Sequence, residues 1–208
     1  MPSHARNGAG SRDRLIDAAG RLFQLKGYRA AVLEEILDLA RVGRSNFYYH
    51  FSGKEQLGLA VLDRWAAEFE EEMIRACLEN GDLAPADRLE AFLQATRRRR
   101  ARNRFRGGCP FGTLATELAD EVESVRQKLS GFFRRVEESL QAVIQQGITS
   151  GSFRTDLDAA GAASHVVSAM EGMTLLARTH RSLDPWRRGI PHLLAGLGVE
   201  RRITKKRG

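Results

Sequence analysis

A chain of 208 residues, 42% of them hydrophobic, can bury a core as one domain or two small ones without staples. Thirty-three Lys and Arg against 26 Asp and Glu leave a formal charge of +7, which favours a polyanionic partner: nucleic acid first, an anionic membrane surface second. Two cysteines exclude a disulfide framework, no apolar run approaches the roughly 20 residues of a membrane helix, and no signal-peptide core opens the chain; a soluble cytoplasmic protein is expected. Five prolines and no alternating strand pattern point to an all-α class.

Residues 1–11, rich in Gly, Ser and Ala, are expected to form a disordered arm. Leu15, Ala18, Ala19, Leu22 and Phe23 form the apolar stripe of a first helix from Arg12 to Lys26, and Gly27 ends it. Leu33, Ile36, Leu37 and Ala40 recur at helical spacing, Arg41-Val42-Gly43 interrupts them, and Phe47 and Phe51 then stand four apart. Arg44, Ser45, Asn46, Tyr48 and Tyr49 fall on the other faces of this second short helix. Two short helices joined by a tight turn, the second anchored by aromatic rings and showing donors outward, meet the requirement of a helix-turn-helix. Arg44 suits a bidentate guanine contact and Asn46 a second base contact, with Ser45 beside them; Tyr48, Tyr49, His50 and Lys54 suit phosphates.

From Arg12 to Leu62 the chain resembles the TetR family of transcriptional regulators. The likeness rests on Ala18-Ala19, Leu22-Phe23, Gly27-Tyr28, Ile36, Val42, Phe47-Tyr48, Phe51, Lys54 and Leu57, and above all on the run Asn46 to Phe51 followed by Lys54-Glu55. Three positions depart from the pattern. Ala31 stands where Thr usually opens the second helix, Arg41 where the turn usually has Gly, and Gly43 where Ser is frequent. At Arg41 a side chain sits where the backbone wants a positive φ. The resemblance implies a three-helix head over residues 12–53 on a larger helical ligand-binding and dimerisation body over 54–198. It further implies a homodimer, a double-stranded DNA operator, a small-molecule effector, repression of transcription, and no cofactor or metal. At Lys54 it implies a hold on the DNA backbone.

Ser52 and Glu55 are placed as a capping box opening a long helix to about Glu79, along which Leu57, Val61, Trp65, Phe69 and Met73 step by four. A fifth helix from Ala86 to Arg104 turns Leu89, Phe92, Leu93 and Thr96 inward. It carries Arg97 to Arg100, and Arg102, Arg104 and Arg106 follow, more arginine than a helix dipole calls for. A second phosphate contact or an acidic partner surface is one use for it. Pro110 suits a first helical turn and makes Cys109 an N-cap, where a thiol faces the positive end of the dipole with Arg104 and Arg106 nearby, conditions that expose a thiolate. The segment Gly108-Cys109-Pro110-Phe111-Gly112 through Glu117-Leu118 is similar to one in a subset of TetR-like regulators, some of which sense electrophiles or oxidants through that Cys. A small packing residue at a tight turn is the alternative.

Val125, Leu129, Phe132, Val136, Leu140 and Val143 form the stripe of a helix from Val122 to Ile148. A turn over Ser150 to Asp156 leads to a small-residue helix from Leu157 to His180, and a last helix runs from Pro185 to Leu197. The last two helices are the expected dimer interface, and residues 199–208 a basic disordered tail. Trp65, Phe69, Met73, Phe92, Phe111, Phe132 and Phe133 are expected to line an apolar effector cavity, with Cys109, Thr96, Thr113 and His165 as its sparse polar groups. An enzyme using Cys109 and His165 as nucleophile and base is the distant alternative; no spacing motif supports that pair.

Overall fold

The computed structural model describes residues 10–102 and 107–199. Residues 1–9 of the expected arm over 1–11, residues 200–208 of the expected tail over 199–208 and the expected arginines Arg104 and Arg106 lie outside them, while Ser11, expected in the arm, opens the first helix. Among the described residues all regular structure is helical. In chain order it comprises α1 (Ser11–Lys26), α2 (Leu33–Ala40), α3 (Arg44–His50), α4 (Lys54–Phe69), a π-helical segment (Glu70–Leu78), α5 (Pro85–Arg102), α6 (Pro110–Leu118), α7 (Glu123–Thr149), α8 (Ala159–His180) and α9 (Asp184–Gly196). Two compact units result, residues 10–68 with 107–132, and residues 69–102 with 133–199.

In the first unit, Leu15, Ala18, Ala19 and Phe23 of α1 are buried with Ile36, Leu37 and Ala40 of α2 and with Phe47 and Phe51 on and just after α3. Gly27 ends α1 at φ 89°, and a Cβ there would come within 2.4 Å of the Glu117 carboxylate, so both the backbone and the space call for glycine. α2 ends in a left-handed residue, Arg41, at φ 53° and ψ 49°. The Val42 N–H then reaches back to Leu37 O at 3.1 Å, closing the last turn as a Schellman cap does. This is what frees the chain to start α3 only four residues after α2 stops. The start of α4 differs from expectation: the Ser52 N–H donates to Gln56 Oε1 at 2.6 Å, while Glu55 accepts from Ser124 Oγ at 2.8 Å. Helix growth begins at Lys54, one residue later than a box opened by Ser52 would place it, so the reach-back falls to the next polar residue.

In the second unit the long helix expected to about Glu79 does continue, but its last nine residues are π-wound, with the Glu79 N–H bonded to Ile74 O at 2.9 Å. Met73, Ile74, Cys77 and Leu78 are buried there, and Leu89, Phe92, Leu93 and Thr96 on α5. Val136, Leu140, Val143 and Ile144 of α7 are buried as well. Phe153 closes the turn after α7 against Gly147, where a Cβ would lie 2.0 Å from its ring. Asp158 caps α8 by accepting from the Ala160 and Gly161 N–H groups at 3.2 and 3.0 Å. Ala163, Val166, Met170, Met173 and Ala177 of α8 are buried together with Trp186, Ile190, Leu193 and Leu194 of α9.

Candidate nucleic-acid interface and effector-binding residues

α3 has one buried residue, Phe47, and its ring meets Tyr48 edge-on at 5.1 Å and Phe51 at 5.9 Å. With Phe47 and Phe51 inside, Arg44, Ser45, Asn46, Tyr48 and Tyr49 all stand in solvent, Tyr48 at 53% and Tyr49 at 82% exposure. Large rings are held outward by the periodicity of a seven-residue helix that spends its aromatic anchors on the opposite side. Arg44 rests on Glu34 of α2 in an ion pair whose partners are both more than half exposed. Such a pair contributes little and yields readily to a competing anion.

Asn46 and His50 are already engaged. The Ser11 hydroxyl donates to Asn46 Oδ1 at 3.1 Å and lies 2.7 Å from His50 Nε2, so the first residue of α1 is bound to α3. Arg12 stacks its guanidinium 5.4 Å from the Phe51 ring centre, and Arg14 Nε donates to Ala40 O at 3.2 Å. Lys54 donates to Tyr28 O at 2.6 Å and sits 4.3 Å from the centre of the Tyr28 ring. Partial burial lowers the Lys54 pKa, while the nearby Glu117 carboxylate works the other way. Burial likewise raises the Tyr28 phenol, aided by Glu55.

Arg29, which the sequence did not single out, and Glu117, named there only as the end of a longer segment, hold this end of the unit. Glu117 of α6 accepts the Arg29 backbone N–H at 2.8 Å, and the Arg29 guanidinium donates to Glu117 O at 2.9 Å while pairing with Glu121. They are 88 positions apart, beyond any local pattern.

Cys109 caps α6 as expected, its Sγ accepting from the Gly112 N–H at 3.5 Å, with Pro110 in the first turn. The residue is only 8% exposed. Thr113 donates to Gly107 O at 3.3 Å. Phe111 stacks on Phe132 at 3.6 Å between ring centres and meets Trp65 edge-on at 6.2 Å, so these three expected effector contacts form one aromatic cluster in the first unit. Phe69 and Phe92 meet edge-on at 6.1 Å in the second unit, where Met73 and Thr96 are buried and Phe133 is half-buried. The Thr96 hydroxyl donates to Phe92 O at 3.0 Å, within its own helix.

His165 stands exposed on α8 and lines a cleft of about 350 Å³ with His192, Asp158 and Leu193. A second cleft, of about 410 Å³, lies in the first unit, edged by Arg14, Asp17, Arg21, Arg64 and Trp65. Arg99 of the arginine run pairs with Glu72 at 2.9 Å. Among the described residues no cluster of His, Cys, Asp and Glu is fit to hold a metal ion, and no helix is long and apolar enough to cross a membrane.

Comparison with known proteins accounts for both the head and the body. Residues 15–61 match the family described as bacterial regulatory proteins, tetR family, and residues 85–193 match the tetracyclin repressor-like C-terminal domain. The transcriptional regulator AcuR of Cereibacter sphaeroides is 30% identical over 160 residues, 77% of this chain and 73% of its own. The transcriptional repressor NemR of Escherichia coli is 25% identical, covering 88% of this chain and 92% of its own. The crystal structure of regulatory protein TetR from Rhodobacter sphaeroides superposes with a TM-score of 0.83 at 26% identity, over 89% of this chain and 97% of that one. That of reduced E. coli NemR does so at 0.78 and 26%, over 88% and 94%. The chain belongs to the TetR family of DNA-binding transcriptional regulators.

Proposed function

We propose that this protein is a homodimeric repressor whose α3 enters the major groove of a palindromic operator and is withdrawn when a small apolar effector binds the body. The observation that carries the reading is the outward face of α3: two exposed tyrosines beside Arg44, Ser45 and Asn46, on a helix anchored by Phe47 and Phe51. Arg44 reads a guanine once it leaves Glu34, and Asn46 a second base. Tyr48, Tyr49, His50 and Lys54 hold phosphates. For Lys54 this requires leaving Tyr28 O, a rearrangement within reach of a flexible ammonium stem.

Two copies would join through the exposed faces of α8 and α9, placing two heads on half-sites one or more helical turns apart. The head corresponds to 12–53 and the ligand-binding and dimerisation body to 54–198. The effector would meet aromatic residues of the body, either Trp65, Phe111 and Phe132 of the first unit or Phe69, Phe92 and Phe133 with Met73 of the second, and favour a head spacing that does not fit successive grooves, so that operator affinity falls by the difference in its affinity for the two states. Selection of duplexes from a random pool tests the reading. A palindrome with half-sites about 10 base pairs or a multiple apart supports it; recovery of no preferred sequence refutes it.

The Cys109 cap favours a second reading, in which modification of that thiol replaces effector binding. NemR, 25% identical over 183 residues, is among the repressors this chain resembles. Operator binding measured before and after treatment with N-ethylmaleimide, in the wild type and in Cys109→Ser, separates the two: only thiol sensing makes the loss of binding depend on Cys109.

A further inference from the structure

One side chain contacts both ends of the π-helical segment. Arg135 of α7 donates to Glu70 through Nη2 at 2.6 Å and Nε at 3.2 Å, to Glu79 through Nη2 at 2.8 Å, and to Ser139 Oγ through Nη1 at 2.8 Å. Glu70 opens the segment and Glu79 follows its last residue. In an α-helix, nine residues make two and a half turns and put the two carboxylates on opposite sides. Bonded i→i+5, a π-helix fits about 4.4 residues into each turn, so nine residues return to the same side. One guanidinium can hold both acids only if the helix between them is wound wide.

The apolar residues fit the same winding. Met73 and Cys77 are buried, as are Ile74 and Leu78, pairs four residues apart; Glu71, Glu72, Arg75 and Ala76 between them are exposed. A strict step of four drifts about 40° per step on an α-helix. On a π-helix it drifts about 30° the other way, which offsets the drift built up along a preceding α-helical stretch of the same spacing.

We propose that Arg135 is a positioning residue that fixes the π winding of Glu70–Leu78, and that loss of this clamp lets the segment rewind as an α-helix. With Glu70 held in place, rewinding turns Cys77 by about 130°, from the buried side towards solvent. Met73 lies within this stretch and is buried, so the winding sets the direction of a residue proposed to meet the effector. That use rests on the effector reading; the winding itself does not.

Cys77 is a built-in reporter. It is 8% exposed, and burial raises its pKa against the opposing pull of Arg98, so both access and ionisation hold its reactivity down. Alkylation by iodoacetamide, read peptide by peptide, compares Cys77 with Cys109, which is also 8% exposed and serves as the internal control. Arg135→Met keeps the apolar stem and removes the guanidinium; Glu79→Ala, at a half-exposed carboxylate, removes one end of the clamp in a variant that folds if Arg135→Met does not. The expected result is a tenfold or greater rise in the Cys77 rate with Cys109 unchanged, partial rescue by Arg135→Lys, and in a crystal of the variant a Glu79 N–H bonded to Arg75 O instead of Ile74 O. An unchanged Cys77 rate in the folded variants overturns the inference. So does an equal rise at both cysteines, which reports general loosening, or a variant structure that keeps the i→i+5 bond.

Discussion

The outward faces of α3 and α8 both expose large apolar surface, and they differ in what surrounds it. On α3, Tyr48 and Tyr49 carry phenols and stand among Arg44, Ser45 and Asn46, so every exposed side chain ends in a hydrogen-bonding group. On α8, Leu175 and Leu176 are 63% and 47% exposed, in line with Gly161, His165, Ser168 and Gly172. Rings with polar tips among donors suit a wet, charged partner such as a phosphate backbone. Bare leucines beside glycine and serine suit close approach of another helix, and a twofold interface offers the same patch from both copies. Exposure alone therefore marks neither face; the chemistry around the exposed carbon is the ground on which we propose DNA for one and a second chain for the other.

The largest effect is expected from removing the anchor under the reading face. Phe47 is fully buried, and Phe47→Ala should cost about 3–5 kcal/mol of stability, read by urea melting, with operator binding lost. Retained operator affinity would show that α3 needs no fixed pose and would dissolve its side of the comparison. Next in size is the α8 face. Leu175→Glu combined with Leu176→Glu should leave helicity intact, shift sedimentation to a single chain, and weaken operator binding about a hundredfold or more, since one head then binds alone. A dimer that survives both carboxylates would move the interface elsewhere. Arg44→Ala comes third, at about 1–3 kcal/mol with relaxed preference at one position per half-site. Uniform weakening across sequences would make Arg44 a phosphate contact instead.

What could be read in the chain, and what could not, follows from the range of the forces. Phe47 and Phe51 share a face because they are four apart on one helix, so the anchored α3 was legible, as were the glycine end of α1 and the cap at Cys109. The Ser11 bonds to Asn46 and His50 and the Glu117 hold on Arg29 join residues 35 to 88 positions apart, which no periodicity records. Gln56 displaced Glu55 at the start of α4 because a shift of one residue in the helix start changes which side chain faces back. The π segment left a trace that passed for something else: the steps of four from Leu57 to Met73 look like a plain apolar stripe, yet over that length a stripe of strict fours would wind about 160° around an α-helix. The drift itself was the signal. The partition of the expected effector residues into two aromatic groups, Trp65 with Phe111 and Phe132, and Phe69 with Phe92, depends on tertiary packing and had no sequence counterpart.

The smallest effect, and the one that tests the turn before the reading helix, is expected at Arg41. Its φ of 53° and ψ of 49° put a residue with a Cβ in the left-handed region, at a cost of about 1 kcal/mol, and the side chain is exposed. Arg41→Gly removes that cost and returns roughly half of it through the greater freedom of glycine in the unfolded chain. The net gain should be about 0.5 kcal/mol, a rise of a degree or two in Tm for a chain of this length. The same substitution removes a cation two residues before the Gly43 cap of α3. If that cation holds a phosphate, the slope of log affinity against log salt becomes shallower by about one unit per contact while stability rises. Stability and DNA binding then move in opposite directions in one variant, which separates the backbone's requirement from the side chain's. A fall in Tm would mean that the guanidinium, and not the backbone, governs this turn.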